Sequence, residues 1–343
     1  MNKRRQGAIL ITSLWILSIL AILAVGIGFR VSIEARLAKY GMDGLKGAYL
    51  AKAGAAKAIY RLSKNPAVAY DSIYECGTVF SPQERSDPAK LGALFKGSLG
   101  EGYFTVAYKE GGALYPGLSD EERRVDINTA PENLLKNLLM YVGEDPTVAS
   151  YIVQWRTPGA GLDDGYYESL PFPYKCKHAR FCAAEELLLV KGVTGQVFEK
   201  IMNYVTVFGS PSKFGVNINT ASKTVLGTLI MAGAPIDKIT ADFCAEKIID
   251  FRNGTDGLRG TKDDNIFTVT ADLANNIEHI TLGALSATQA ANVAKDLIVK
   301  SGFFRIESTG AVKSSKFEKK IVCVVTKDND KNNKFKVLYY REE

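Results

Sequence analysis

An α+β fold is predicted from three features of the sequence. A long apolar N-terminal stretch runs on as an amphipathic helix. One strand-like run begins at Gly102 and three more close the chain. The interval between them is helical and echoes itself. The expected layout is a long N-terminal membrane and amphipathic helix packed on a small antiparallel sheet, with a large all-α insertion. Its boundaries are 1–7 for a basic leading segment, 8–29 for the membrane-spanning part, 30–110 for the first part of the sheet domain, 111–300 for the insertion and 301–343 for the closing strands. With 343 residues, 46% hydrophobic and 23% charged, the chain can bury cores for about two domains, which excludes a disordered or fibrous protein. A single long uncharged stretch excludes a polytopic membrane protein. Half of the net charge of +6 comes from Lys3, Arg4 and Arg5, and the other basic residues alternate with acids, so bulk charge gives no footing for nucleic-acid binding.

From Gly7 to Phe29 there is no charged residue. A helix of that length reaches about 34 Å, enough for the roughly 30 Å hydrocarbon layer. The basic residues before it stay in the cytoplasm by the positive-inside rule, and the remainder is exported. A cleaved secretory signal is the competing reading, with AILA at Ala21–Ala24 as its cleavage site, but its apolar region would be shorter than this one. No proline occurs before Pro66, and Ile33, Leu37, Leu45, Tyr49, Ile59 and Leu62 lie near helical spacing, so the helix continues with an apolar stripe. Gly41, Gly44, Gly47 and Gly54 are expected to weaken or bend it. Asn65-Pro66 ends it, and Tyr70 to Lys90 reads as an irregular loop.

The runs from Gly102 to Glu110, from Phe303, from Glu318 and from Phe335 alternate as strands, the last three forming an antiparallel meander. In the insertion, VDINTAP (Val125–Pro131) and VNINTAS (Val216–Ser222) each precede a helical run, and each run leads to a helix ending near an arginine, Arg156 or Arg252. Asn and Thr of these motifs are expected to cap the helices, and Pro131 suits a first turn. EELLLVKGVTGQVFEKIMNYV, from Glu185, reads as two helices joined around Gly192–Gly195. The repeats make a compact helical subdomain.

A basic leader ending in glycine (KRRQG) followed by an apolar and then amphipathic helix resembles a type IV pilin or pseudopilin precursor. The resemblance implies cleavage by a prepilin peptidase between Gly7 and Ala8, with methylation of the new N-terminus. Most of that family carries glutamate at the fifth mature position, where this chain has Thr12. A carboxylate in lipid is costly unless paired, and Thr12 cannot pair with a neighbouring subunit's amine. The K-type minor pseudopilins of type II secretion also lack that glutamate. VDINTAP, DDGYYESLPFPY, FCAAEELLLVKGVT and VNINTAS stand in the order expected of their helical domain. The resemblance therefore implies a pilin-like domain with an insertion of SAM or helix-hairpin-helix-like repeats. It also implies a single-pass inner-membrane protein with its C-terminal domain in the periplasm, at the tip of the pseudopilus. The implied partners are the I- and J-type minor pseudopilins, the major pseudopilin and the prepilin peptidase, with no nucleic acid.

The alternative is a membrane-anchored, competence-like helix-hairpin-helix DNA-binding protein. Its hairpin would need glycine-flanked amides free to hold a phosphate, for which KGVTG at Lys191 is the nearest candidate. No phosphate-binding, zinc-protease or hydrolase motif is present, and His178 and His279 read as surface or packing residues, so no enzyme is expected. Two acidic loops are candidates for a cation: Asp163, Asp164 and Glu168 in one, and Asn253, Asp256, Asp263 and Asp264 in the other. Oxygen-rich, glycine-containing loops suit Ca²⁺, and the family resemblance points to the same ion, although neither loop has EF-hand spacing. Of the five cysteines, Cys176 and Cys182 are the best disulfide pair, since a periplasmic location permits disulfides. A zinc site of Cys176, His178 and Cys182 is the competing use and lacks a clear fourth ligand. Cys323 reads as a free core residue, and Cys76 and Cys244 pair only if the fold brings them together.

Overall fold

The computed structural model describes residues 3–64, 70–72, 92–159, 164–259, 261, 263–313, 315, 317–327 and 335–343. Helix α1 (Lys3–Ser63) is continuous over 61 residues, about 90 Å at the usual rise. Among the described residues nothing covers its first half: Ile9 through Phe29 are exposed on every side, and the stretch is long and apolar enough to cross a membrane. The second half lies on an antiparallel sheet. The strands are β1 (Lys96–Leu99), β2 (Gly102–Glu110), β3 (Ala113–Pro116), β4 (Ser119–Asp120), and after the insertion β9 (Phe303–Val312), β10 (Glu318–Lys327) and β11 (Phe335–Glu342). Their order is β1-β2-β9-β10-β11, with β3 on β2 and β4 on β9. All four strands read in the sequence are present, and the closing three form the meander. β3 and β4 fall within 111–300 yet belong to the sheet, so the helical part begins beyond Asp120.

Helix and sheet meet on a face of α1 that the apolar spacing found only at its end, at Ile59 and Leu62. Leu45 and Tyr49 are exposed, whereas Leu50, Ala51, Ala55, Ala58 and Leu62 are buried. Close approach, not side-chain bulk, selects the face. A Cβ on Gly310 of β9 would lie 2.2 Å from the Gly47 carbonyl oxygen and 2.4 Å from the Ala51 nitrogen. One on Gly54 would lie 2.3 Å from the Ser308 hydroxyl. Of the glycines that looked like weak points, Gly47 and Gly54 are where the sheet comes close, and the helix runs through all four unbroken.

The insertion leaves and re-enters through neighbouring strands. Asp120 pairs with Phe304, and the Glu121 amide donates to the Phe303 carbonyl at 3.0 Å. A long excursion can therefore be added without displacing any sheet strand. Its two halves repeat one plan. The first runs β5 (Val125–Asp126), α2 (Glu132–Tyr141), α3 (Val148–Arg156), α4 (Asp164–Glu168), a 3₁₀ turn (Ala184–Leu189), α5 (Gly195–Ile201) and β6 (Val205–Thr206). The second runs β7 (Val216–Asn217), α6 (Lys223–Gly233), α7 (Lys238–Arg252), α8 (Leu273–Ile280), α9 (Ala287–Ala294) and β8 (Leu297–Ile298). In each, first and last strands pair in parallel, Val125 with Val205 and Val216 with Leu297. Both halves share one core, including Leu134, Leu138, Ile152, Trp155, Leu226, Ile230 and Ile248.

The repeated motifs do not cap helices as expected. Ser222 caps α6, accepting from the Val225 amide, and α2 starts at Pro131 with no side-chain cap. The asparagines instead act as clamps. Asn128 bonds the Phe181 and Val207 carbonyls at 3.1 Å and accepts from the Phe181 amide at 2.8 Å. Asn219 grips Phe267 in the same two-sided way, at 2.9 and 2.8 Å. Arg252 donates to the carbonyls of Ile218 and Ala221, and Arg156 to those of Ile127 and Ala130. These buried bonds satisfy carbonyls that would otherwise be left unpaired at the bend between strand and helix.

Candidate functional site

Three regions carry the candidate residues: α1, the junction between sheet and insertion, and the two acidic loops. On α1, Gly7 and Ala8 lie within the continuous helix. The Thr12 hydroxyl donates to the Ile9 carbonyl at 3.0 Å, so its polar atom is satisfied within its own helix. Beyond the membrane part, Met42, Leu45 and Tyr49 are exposed. With Leu99 and Val312 they line an open apolar groove of about 520 Å³, bordered by Lys46 and Glu101, which pair at 2.6 Å.

The junction was not legible in the sequence, because SDEERR at Ser119–Arg124 looks like a solvated charged turn. All but Arg124 are buried. Asp120 Oδ2 accepts from Asn217 at 3.0 Å, Thr220 at 2.7 Å and Ser301 at 2.6 Å, and Oδ1 accepts from the Glu122 amide at 2.8 Å. Burial pushes both Asp120 and Glu122 upward, Glu122 to about 8 with the Asp120 charge as a further cause. Four donors converge on Asp120 and offset part of the cost of burying its charge. Glu121 pairs with Arg305 and Arg124. Glu110 of β2 pairs with Arg123 and with Arg259 of the second acidic loop. Burial opposes ionisation of Glu110, but Arg259 and Arg123 together hold its carboxyl down at about 2. Arg259 also stacks on Tyr115, 4.9 Å from the ring centroid. The second loop thus ties the insertion to the sheet.

The two acidic loops occupy equivalent places in the repeat, each following a helix that ends at a clamping arginine. In the second, Asp263 Oδ2 accepts from the Thr255 amide and hydroxyl and the Asp256 amide at 2.6–2.9 Å, and its Oδ1 accepts from Thr261 at 2.8 Å. Asp256 accepts from Leu258 at 2.7 Å, and Asp264 from Thr261. Asn253 donates to Gly257. These carboxylates accept from donors of their own loop, and the Thr261 hydroxyl meets both Asp263 and Asp264, at 2.8 and 3.3 Å. In the first loop Asp163 lies outside the described residues, Glu168 is exposed, and Asp164 accepts a bond from His178 at 2.8 Å. His279 ends α8.

Cys176 and Cys182 are free thiols, as are Cys244 and Cys323; Cys76 lies outside the described residues. The expected Cys176–Cys182 bond is not formed because the two sulfurs have different surroundings. Cys182 is exposed, its sulfur 3.3 Å from the Lys177 ammonium, while Cys176 is half-buried beside Asp164 and His178. Cys323 sits in the core beneath α1, as read. At the hairpin candidate, the Val190 and Val193 amides donate to backbone carbonyls and that of Lys191 to the Tyr167 hydroxyl. Two of the five amides of KGVTG, those of Lys191 and Val193, are therefore engaged. The turn after α2 offers no substitute, because it carries the carboxylate of Glu144, paired with Lys200.

A long apolar helix laid on an antiparallel sheet, with a two-fold repeated helical insertion between neighbouring strands, is an architecture found in a solved secretion-system protein. Residues 117–210 match the first domain of the family described as type II secretion system (T2SS), protein K. The whole fold is similar to a chain in the crystal structure of the GspK-GspI-GspJ complex from the enterotoxigenic Escherichia coli type 2 secretion system. The identity is 13% and the TM-score 0.61, over 90% of this chain and 99% of that one. No curated protein matches the chain. The resemblance read from the leader, Thr12 and the motif order is borne out, as is the α+β class.

Proposed function

We propose that this chain is a minor pseudopilin that initiates and caps the pseudopilus of a type II secretion system, driving protein export across the outer membrane. It is held in the inner membrane by α1, processed between Gly7 and Ala8, and exposes its C-terminal domain to the periplasm. Its neighbours are the I- and J-type minor pseudopilins, with the major pseudopilin below. The observation that carries this reading is the uncovered apolar face of α1 at Met42, Leu45 and Tyr49, just beyond the membrane part. An apolar helix face left open beside a paired, folded sheet is suited to a neighbouring long helix. Thr12, internally satisfied, needs no amine from a further subunit. The residues between β4 and β9 add a bulky body that a next subunit would have to clear.

The test is co-purification from membranes. Leu45→Glu with Tyr49→Glu should leave insertion and folding intact while abolishing recovery of the I- and J-type subunits. Full recovery with the double variant would overturn the proposed face.

A further inference from the structure

We infer that Asp164, Cys176 and His178 form a binding site for a borderline divalent transition-metal ion of the Zn²⁺ type, with one coordination position left open. The inference stands apart from the proposed secretion role. The three ligand atoms lie within 4.8 Å of one another, the one such group among the described residues. They come from two elements: Asp164 opens α4, and Cys176 and His178 sit on the extended strap that follows it. The strap is fixed from below by an aromatic cluster. Trp155 meets Tyr167 at 5.4 Å and Phe181 at 6.4 Å between centroids, and the Ala179 amide donates to the Trp155 carbonyl at 3.2 Å.

Several features of this corner have no structural reward of their own. His178 holds a positive φ of 48°, uncommon for a residue with a Cβ and concentrated at functional sites. One ring nitrogen bonds Asp164 at 2.8 Å, and the other, Nδ1, is buried with no hydrogen-bond partner among the described residues. An unpaired buried polar atom is destabilising. A thiol with an imidazole two residues on and a carboxylate beside both brings together three donors such an ion takes.

The donor set decides the ion. One thiolate, one imidazole and one carboxylate suit Zn²⁺ and its neighbours and are wrong for Ca²⁺, which takes oxygen alone. Four-coordinate zinc places ligand atoms about 3.3–3.7 Å apart, given metal–ligand distances of about 2.0–2.3 Å. The present spread needs only a small contraction. Three protein ligands leave the fourth position for water or a fourth group. Cys182, whose sulfur faces Lys177, is not in the set.

The test uses the reduced full-length chain in detergent, stripped by chelator and titrated with Co²⁺. One equivalent should bind and give a thiolate-to-cobalt charge-transfer band, displaced by one equivalent of Zn²⁺ and not by excess Ca²⁺. Cys176→Ser should abolish the band, Asp164→Asn and His178→Ala should weaken binding more than about tenfold, and Cys182→Ser should leave it unchanged. Circular dichroism of each variant guards against misfolding, and Asp164→Asn, the most conservative change, carries the comparison if another variant unfolds. Absence of the band, its survival in Cys176→Ser, its loss in Cys182→Ser, or a Cys176–Cys182 disulfide in chain purified without reductant would each overturn the inference.

Discussion

Glu122 makes the stability of this protein depend on pH in an unusual direction. Its carboxyl is moved from 4.5 to about 8 by burial and by the Asp120 charge. Between those two values the native state holds a proton that the unfolded chain has released. Stability is therefore full below about 4.5 and is lost as pH rises through about 8. Each tenfold change in proton affinity corresponds to about 1.4 kcal/mol, so the loss reaches about 3 kcal/mol at neutral pH and about 5 kcal/mol by pH 9, as ceilings that coupling to Asp120 will lower. Glu122→Gln keeps an acceptor for the Gly302 amide, now 2.6 Å from Oε2, and removes the ionisation. The assay is urea unfolding in detergent at pH 5, 7 and 9, followed by fluorescence of Trp155, which lies in the insertion core. The variant should match the parent at pH 5 and exceed it increasingly at pH 7 and 9. An equal pH dependence in both chains would refute the assignment of the proton to Glu122.

Arg259→Met should flatten the acid side of the same profile. Glu110 is held at about 2 from 4.5, so the parent has the stability of this pair above about 4.5 and loses it, about 3 kcal/mol at most, as pH falls through about 2; parent and variant compared at pH 3 and 6 check it. Gly310→Ala should cost about 2 kcal/mol or more, because its Cβ would collide with backbone of α1, while Gly41→Ala, with nothing within 4 Å, should be neutral or stabilising; paired melting curves decide. Asn219→Ala should destabilise by about 2–4 kcal/mol, since it strands both backbone groups of Phe267, and hydrogen exchange should show the amide of Phe267 losing protection first.

The elements were readable wherever local pattern dictated them. The α1 boundaries follow from the absence of proline up to Pro66, and β2, β9, β10 and β11 follow from alternation, since a half-buried strand must alternate. The repeat was readable because each half reuses the same Asn and Arg. What the asparagines do was not, because a helix cap and a clamp on a distant carbonyl call for the same residue type. Most of the buried face of α1 was missed for a related reason. Apolar spacing finds bulk, and this interface is built on Gly47, Ala51, Gly54 and Gly310, where bulk is excluded. The run Ser119–Arg124 reads as surface until Arg305, Arg259, Asn217 and Ser301 arrive from far along the chain to neutralise it. The metal corner was half visible: Cys176 and His178 stood out, but Cys182 was the nearer partner in sequence and Asp164 the nearer in space.

The proposed place at the tip is tested most directly by counting and locating the chain in assembled pseudopili. Fibres carrying a small epitope tag at the C-terminus of this chain, labelled with gold-conjugated antibody and viewed by electron microscopy, should show label at one end, about one particle per fibre. Label distributed along the fibre length, at many copies, would contradict the account.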